Sequence, residues 1–194
     1  MVIRLRYGNT NTFLVPGNGG YLLVDTDYAG TLPGFYRASK AAGVQVKDIA
    51  FVLATHYHPD HMGLIPELMK QGVRLLLMDT QTKDVHDSDQ IFAREKSLRF
   101  EPVDESDAKV ISCCESRAFL ADIGIAGEII STPSHSRDGV SLILDDGDCL
   151  VGDLEPMEYL SAYADNPALK ADWDAILSFH PKRILYSHVN EKTM

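Results

Sequence analysis

Short apolar segments bounded by turn residues alternate along the chain with segments of helical spacing. The segment IRLRY at Ile3–Tyr7 alternates apolar and polar positions, as a strand with one buried face does. The segment IAFVLA at Ile49–Ala54 is apolar throughout, which is typical of a strand covered on both faces. Between them, Thr31–Ala42 carries apolar side chains at helical spacing, and Gly43 after it is a suitable C-cap. The pattern therefore predicts a protein that mixes helices and strands.

The same criteria assign most of the remaining chain. The other predicted strands are Thr12–Val15, Tyr21–Asp25, Val73–Met78, Ala108–Ser112, Glu128–Ser131, Val140–Asp145, Asp148–Val151 and Arg183–Ser187. The other predicted helices are Asp60–Gln71, Gln81–Leu98 and Leu169–Phe179, and Arg99–Asp107 is expected to be a loop. Because strands run in series at the start of each half and helices punctuate both, we expect an α/β fold. We predict a single domain over residues 1–194, an αββα four-layer sandwich of two mixed β-sheets flanked by helices.

Composition and charge exclude several classes of partner. The 194 residues include 18 Lys and Arg against 28 Asp and Glu, a net charge of −10, with no basic run. Because a nucleic-acid backbone is bound by clustered cations, no nucleic-acid partner is expected. The longest apolar run, Ile49–Ala54, is far shorter than the ~18 residues of a membrane span, and no secretory signal is recognisable, so we expect a cytoplasmic protein without membrane contact. The three cysteines show no zinc-binding spacing.

The distribution of histidine is unusual, because His56, His58 and His61 lie together in the segment THYHPDH. Residues two apart cannot share one face of a helix, but in a loop they can converge on one point. Pro59 disfavours helix at His58, and Asp60 suits the start of the helix that follows. This loop follows a buried strand, which is where open α/β sheets usually hold their sites. Three surface histidines are the plainer alternative, but dense imidazole and carboxylate clusters are chiefly metal sites.

Three further candidate ligands, His135, Asp153 and His188, also follow predicted strand ends. A single histidine in such a position is more often a structural or surface residue. Together, however, the candidates form a pattern, because each follows the end of a predicted strand. Side chains in such positions can reach a common rim of the sheets. A weak internal echo supports a duplicated layout, because Thr55-His56 and the segment from Thr132 to His135 each follow an apolar strand.

The types of these residues and their order along the chain resemble the pattern of the metallo-β-lactamase superfamily. The resemblance covers nearly the whole chain, through NTFL and GYLLVD near the start, THYHPDH, TPSHSRDGVSLIL, VGDL and the terminal SHVN. It implies the four-layer fold and the dinuclear site of the hydroxyacylglutathione hydrolase and lactonase branches. In the implied ligand sets, one metal is held by His56, His58 and His135, the second by Asp60, His61 and His188, and Asp153 bridges both. Imidazoles and carboxylates in this ratio favour two zinc ions, and iron or manganese would also be accepted.

The resemblance also implies a reaction. The net positive charge of two such ions would lower the pKa of bound water to about 7, so that a metal-bridging hydroxide attacks a small ester, thioester, lactone or phosphodiester. Asp60 is the expected catalytic residue, which orients that hydroxide or passes its proton to the leaving group. Asp25 is expected to fix one imidazole through its other nitrogen. A turn or capping role for Asp25 beside Thr26 or Asp27 stays open.

Two other functions are compatible with the ligand run. A mononuclear non-haem iron oxygenase resembling persulfide dioxygenase would use only part of the ligand set. A structural metal protein would need a closed site of four protein ligands and no open position. Within the hydrolases, the glutathione thioester is not expected as substrate, because only six residues follow His188 and no glutathione-binding extension remains. Antibiotic hydrolysis is not expected either, because zinc β-lactamases have Cys in place of Asp153 or lack that bridging carboxylate.

Substrate selection is not readable from the sequence, although the loops over Asp79–Asp107 and Leu154–Asn166 are the expected selective elements. The predicted helix Gln81–Leu98 is either a lid over the site or a packed surface helix. Tyr57 points either away from the ligands or into the pocket. Tyr159 and Tyr163 line the mouth of the site or serve in packing. The partner expected is a small-molecule substrate, and a homodimer is compatible with the sequence.

Overall fold

The computed structural model describes residues 1–98, 100–162 and 165–194. The strands are β1 (Ile3–Arg6), β2 (Asn11–Gly17), β3 (Gly20–Val24), β4 (Ile49–Leu53), β5 (Arg74–Met78), β6 (Lys109–Ile111), β7 (Gly127–Ser131), β8 (Val140–Leu144), β9 (Asp148–Leu150), β10 (Arg183–Leu185) and β11 (Lys192–Thr193). The α-helices are α1 (Leu32–Ala41), α2 (Pro59–Met62), α3 (Ile65–Met69), α4 (Asp89–Arg94), α5 (Cys113–Asp122) and α6 (Pro167–Leu177). In these parts of the chain, no helix has the length and apolarity that crossing a bilayer requires.

The strands form two mixed sheets, as the sequence predicts. In the first sheet the order is β1-β2-β3-β4-β5-β6, with antiparallel pairing from β1 to β3 and parallel pairing from β3 to β6. In the second sheet the order is β11-β10-β9-β8-β7, and only β9 and β10 are parallel. The carboxyl ends of parallel neighbours lie at the same edge of a sheet, so the loops after β3 and β4 are adjacent.

Alternation of side chains along each strand separates three apolar clusters. In β5, Leu75 and Leu77 pack under α1 and α3, whereas Leu76 and Met78 face the second sheet. On the outer face of the second sheet, Trp173 of α6 packs in a cluster with Cys149 of β9. Because successive residues of a strand point to opposite faces, one apolar strand serves two layers. The predicted αββα order of layers is confirmed.

The predicted helix Asp60–Gln71 is wrong as one element, because the chain is divided there into α2 and α3. The carbonyl of His61 accepts a hydrogen bond from the backbone N–H of Thr26 at 2.9 Å and from its hydroxyl at 3.1 Å. The hydroxyl of Thr26 in turn accepts from the backbone N–H of Leu64 at 3.2 Å. Long-range bonds to the loop after β3 therefore replace the helical hydrogen bonds at this turn.

The predicted helix Gln81–Leu98 is also wrong, since only α4 is α-helical in this range, and a 3-10 helix that ends at Gln81 and a run of turns precede it. The side chain of Gln81 is buried, donates to the carbonyl of Ala54 at 3.0 Å and accepts from the N–H of Met78 at 3.2 Å. Side-chain bonds of this kind compete with helix formation. In α4, Phe92 is buried in the core, which favours a packed surface helix over a lid.

Helix α5 is absent from the prediction, although its start carries a signal. Glu115 accepts from the backbone N–H of Ser112 at 2.8 Å, and this pair forms a capping box. The sequence signal for the start of this helix is therefore a serine followed three residues later by a glutamate. Strand β11 is also absent from the prediction, because two residues are too few to show a period.

Gly63, between α2 and α3, allows the backbone at residues 27–29 to pack closely against this break and provides a test of that contact. A Cβ added there would lie 2.3 Å from the backbone nitrogen of Ala29 and 2.6 Å from the carbonyl oxygen of Asp27. Because these are backbone atoms, we expect Gly63→Ala to lower the free energy of unfolding by about 2–3 kcal/mol. The measurement is the urea midpoint. Gly19→Ala is the control, since a Cβ there meets nothing within 4 Å; equal midpoints for the two variants would contradict this account.

Candidate metal centre

The loops that follow β4, β7, β9 and β10 meet at one rim of the sandwich. The backbone N–H of Val140 donates to the carbonyl of Thr55 at 2.9 Å, and the N–H of Ser187 donates to the carbonyl of Gly152 at 3.0 Å. Gly152 has a φ of +60°, and a Cβ added there would lie 2.5 Å from the hydroxyl oxygen of Thr55. Glycine therefore permits both the backbone conformation and the close approach of the two sheets.

Histidine and aspartate side chains from these loops form overlapping groups whose ligand atoms lie within 4.8 Å of one another. The groups are His56, His58 and His135; Asp60, His61 and His188; and His56, His61 and Asp153. Asp153 lies between the first two groups, because its Oδ2 is 3.3 Å from Nε2 of His61 and 3.8 Å from Nε2 of His135. The structure thus brings together every residue proposed as a ligand, and two of the three overlapping groups have the membership that the family resemblance implies for the two metals.

Three of the imidazoles are held through the ring nitrogen that faces away from the cluster. The contacts are His56 Nδ1 to Thr55 Oγ1 at 3.2 Å, His61 Nδ1 to Asp25 Oδ2 at 3.0 Å, and His188 Nδ1 to the carbonyl of Asn9 at 3.2 Å. Carboxylate and carbonyl oxygens only accept, so Nδ1 of His61 and of His188 carries the hydrogen and donates it. Metal-ligating histidines are oriented in this way by their other nitrogen.

The first group consists of imidazoles that face one another. Nδ1 of His58 lies 2.9 Å from Nε2 of His56 and 3.4 Å from Nε2 of His135. Burial, followed by the neighbouring histidines, holds the pKa of His56 well below its ordinary value, and burial also lowers the pKa of His135. Nε2 of His61 and Oδ1 of Asp153 are buried and form no well-aligned hydrogen bond among the described residues, although Nε2 of His61 lies 3.3 Å from Oδ2 of Asp153 and Nε2 of His188 lies 3.3 Å from Oδ1. The imidazole lone pairs that converge here, and buried polar atoms without a well-aligned partner, suit the binding of divalent cations at this rim.

The second group is dominated by carboxylates. Hydrogen bonds to Asp153 and Asp60 raise the pKa of His188 to about 10. Burial opposes charge on His61, but Asp25 and Asp153 outweigh it and raise its pKa to about 10. Burial also opposes charge on Asp153, yet His188 and His61 hold the pKa of this carboxyl well below its usual range. Because a ligating imidazole must be neutral, a metal ion competes with protons for this group.

Asp25 joins the two sheets beneath the cluster. Its buried carboxylate accepts from the N–H of Thr55 at 2.6 Å, from the hydroxyl of Thr55 at 2.9 Å and from the hydroxyl of Ser187 at 2.9 Å, besides His61. Asp25 has a φ of +58°, a conformation that costs a non-glycine residue about 1–3 kcal/mol. Among the described residues its carboxylate bonds to neither Thr26 nor Asp27, so the structure favours the role of positioning an imidazole.

A sequence model described as the metallo-beta-lactamase superfamily matches residues 5–188. The chain belongs to the metallo-beta-lactamase superfamily. It is 25% identical over 187 residues to the Beta-lactamase-like protein 2 homolog of Drosophila melanogaster, covering 93% of this chain and 59% of that protein. It is 27% identical over 158 residues to the Lactamase-like protein nscB of Trichophyton rubrum, covering 77% and 41% respectively. The chain therefore spans about half the length of these curated relatives.

Solved structures from the metallo-beta-lactamase superfamily share the fold. A metallo-beta-lactamase family protein from Thermus thermophilus superimposes with a TM-score of 0.74 at 18% identity, covering 100% of this chain and 74% of that one. TTHA1623, solved in a di-iron-bound form, gives a TM-score of 0.73 at 21% identity and coverage of 100% and 94%. The BLEG-1 B3 metallo-beta-lactamase gives 0.72 at 18%, also with 100% and 94%. At these identities the likeness shows the common αββα fold alone.

Gln81 and Asp138 position the loops that carry the candidate ligands, and the sequence analysis did not identify either residue. Oδ2 of Asp138 accepts from the backbone N–H of Tyr57 at 2.7 Å, and Oδ1 accepts from the hydroxyl of Ser136. The carbonyl of Asp138 accepts from Gln81 at 3.2 Å. These bonds tie the loop that carries His135 to the segment between the first two histidines. An aspartate before a glycine reads as an ordinary turn, so no local signal revealed this role.

The tyrosines considered from the sequence have different surroundings. The side chain of Tyr57 points away from the ligands and is buried in the core, and its carbonyl accepts from the hydroxyl of Ser88 at 2.6 Å. Tyr159 is 53% exposed and lines a cavity beside the centre. Tyr163 lies outside the described residues.

The bond from Tyr57 to Asp138 predicts an effect on metal binding. Asp138→Ala leaves a buried N–H without its acceptor, which costs about 1–3 kcal/mol. Because the two ligand loops then separate, we expect zinc affinity to fall about 10- to 100-fold. Competition with a chromogenic chelator measures this. Asp145→Ala is the control, because it removes only an exposed ion pair with Arg117; a folded Asp138→Ala protein with unchanged zinc affinity would contradict the proposed role.

The raised pKa values predict proton release on metal binding. With pKa values of about 10, His61 and His188 are protonated at pH 7 in the metal-free protein. Ligation requires their neutral forms, so zinc binding should release the protons of His61 and His188, in addition to that of any metal-bound water that ionises, and should tighten as pH rises from 7 towards 10. Calorimetry in buffers of different ionisation enthalpy counts these protons. His188→Ala should release about one proton fewer; affinity independent of pH would count against this assignment.

Proposed function

We propose that this chain is a metal-dependent hydrolase of a small ester, thioester, lactone or phosphodiester. The observation that carries the proposal is the placement of Asp153 between two complete ligand groups. Members of the superfamily are mostly metal-dependent hydrolases. In a structural site, four protein ligands would surround one ion and leave no open coordination position. Here the donors, divided between two ions, would leave coordination positions for water and substrate.

We propose two zinc ions as the resident metals. Imidazole nitrogens with two bridging or flanking carboxylates suit zinc, and the same donors accept iron or manganese. The di-iron-bound form of TTHA1623 supports a dinuclear site on this fold and makes iron the main competitor. When bound, such ions would lower the pKa of a water molecule and polarise the bond to be cleaved.

Asp60 is the residue of this chain proposed to move the proton. Its carboxylate is partly exposed at the rim, and its Oδ2 lies 3.1 Å from Nε2 of His188. In the metal-free protein the hydrogen bond from His188 lowers the pKa of Asp60, so this carboxylate is ionised at pH 7 and available to a cation. An ionised carboxylate at the rim can accept a proton from attacking water and pass it to the leaving group. Asp25 meanwhile holds His61 in orientation, as the hydroxyl of Thr55 holds His56.

The alternative function is that of a mononuclear iron oxygenase of the persulfide dioxygenase type. It would use only part of the ligand set and leave Asp60 and His188 without an ion. Both groups are assembled within the same 4.8 Å limit, which favours the dinuclear hydrolase. Iron content together with oxygen uptake on a persulfide distinguishes the two functions.

The proposal predicts metal content and activity together. Zinc-reconstituted protein should hold about two ions per chain and hydrolyse at least one member of a panel of thioesters, lactones and phosphodiesters. His58→Ala and Asp60→Ala should each lower kcat/KM about 100-fold or more, since each removes a ligand atom. His86→Ala is the control, because His86 pairs with Asp89 and Glu105 on the surface.

Two results would contradict the hydrolase. One is fewer than one tightly bound ion per chain after reconstitution with zinc, iron or manganese. The other is oxygen uptake with a persulfide by the iron-loaded protein together with no hydrolysis of any panel member.

A further inference from the structure

Two neighbouring cavities share three lining residues, and the first of them is lined by Asp153; the two together are called the trough. The first holds about 200 Å³ and is lined by three proposed ligands, His135, Asp153 and His188. The second holds about 420 Å³ and reaches Tyr159 and Lys192. The shared lining residues are Pro156, Tyr186 and Val189. The trough therefore starts at the metal centre and leads away from it along the surface.

The apolar part of the trough is formed by Leu154, Pro156, Tyr159, Tyr186 and Val189. Leu154 and Tyr186 are buried, and the ring of Tyr186 lies against that of Trp173, which belongs to the same core cluster. Val189 and Tyr159 are 46% and 53% exposed, although most large apolar side chains of this protein are covered. Exposed apolar side chains that line a cavity next to a reactive centre are typical of ligand sites.

The charged groups of the trough are mostly carboxylates. Glu155 lines the first cavity, and Glu158 and Glu191 line the second together with one cation, Lys192. Lys192 pairs with Glu158. No ion pair among the described residues includes Glu155, whose backbone carbonyl accepts from the indole N–H of Trp173 at 2.9 Å. Glu191 lies 3.6 Å from Arg183, so Glu155 is the lining glutamate without an ion-pair partner among the described residues. An anionic ligand beside Glu155 would therefore meet an unpaired negative charge.

Resting on the proposed hydrolase function, we propose that this trough binds the uncharged apolar tail of the substrate and discriminates against tails that end in an anion. The larger cavity, at about 420 Å³, falls within the ~300–1,000 Å³ of small-molecule sites. The substrate class is thus a neutral alkyl, acyl or aryl compound whose scissile bond lies at the ligands. A tail bearing carboxylates or phosphates is disfavoured.

Filling the trough is the first arm of the test. Homologous substrates of the class that the zinc-loaded protein hydrolyses are prepared with a two-carbon tail and with a neutral six-carbon tail. Val189→Trp should lower kcat/KM for the six-carbon tail about tenfold more than for the two-carbon tail. Val110→Trp is the control, because Val110 is 47% exposed and lies on β6, outside both cavities. Equal losses for the two tails would overturn the proposal.

The second arm of the test varies the charge at the end of the substrate tail. Wild-type protein should prefer the neutral six-carbon tail to its carboxylate-ended analogue, and Glu155→Gln should reduce that preference about fivefold. Glu101→Gln is the control, because Glu101 pairs with Lys70 away from the trough. Metal content is measured for every variant. A preference for the anionic tail, or a preference that Glu155→Gln leaves unchanged, would overturn the proposal.

A binding measurement separates failure of the trough from failure of the hydrolase. Hydrolysis-resistant amides with the neutral and the carboxylate-ended six-carbon tails are titrated into the zinc-loaded protein by NMR. Selective binding of the neutral amide, weakened in Val189→Trp, supports the trough even if no panel member is hydrolysed. Hydrolysis without selectivity between tails overturns the trough and leaves the proposed function standing.

Discussion

The buried carboxylate of Asp25 is the constraint on which the rest of the candidate centre depends. A carboxylate removed from water must be fully hydrogen-bonded, since an unpaired buried charge is very costly. Here the donors come from Thr55 after β4, from His61 in α2 and from Ser187 after β10. Satisfying one aspartate therefore requires both sheets and the first ligand loop to meet in one arrangement. The left-handed backbone at Asp25 persists because these partners hold it.

Thr55 transmits that arrangement to the other loops. Its hydroxyl donates to Asp25 and contacts Nδ1 of His56, while its carbonyl accepts from Val140 behind the loop that carries His135. Gly152, just before Asp153, packs against the same threonine. A single residue thus sets the spacing among three ligand-bearing loops through its side chain and its backbone carbonyl. The ligand groups are consequently a result of how the sheets pack rather than of any one segment.

The two ligand groups differ in electrostatic character. Burial and neighbouring imidazoles keep His56 and His135 neutral, so the first position offers nitrogen donors without a carboxylate of its own. At the second position, carboxylates favour protonated histidines and supply oxygen donors. A position formed by three imidazoles beside the shared Asp153 suits zinc, whereas a position richer in carboxylate oxygens is tolerant of harder ions. Asp60, the ionised carboxylate proposed to move the proton, belongs to this second group.

The sequence by itself determined the layers and the candidate ligands, because both depend on local patterns. Two-residue alternation placed Leu75 and Leu76 on opposite faces of a sheet, and a histidine or an aspartate directly after a strand must lie at a sheet edge. Only the tertiary structure decided the break between α2 and α3, the turns before α4 and the roles of Gln81 and Asp138. In each case a distant partner competes with the local pattern: Thr26 takes the carbonyl of His61, and Asp138 takes the N–H of Tyr57. Hydrogen bonds between segments far apart along the chain leave no period in the sequence, so they become visible only when the sheets are packed.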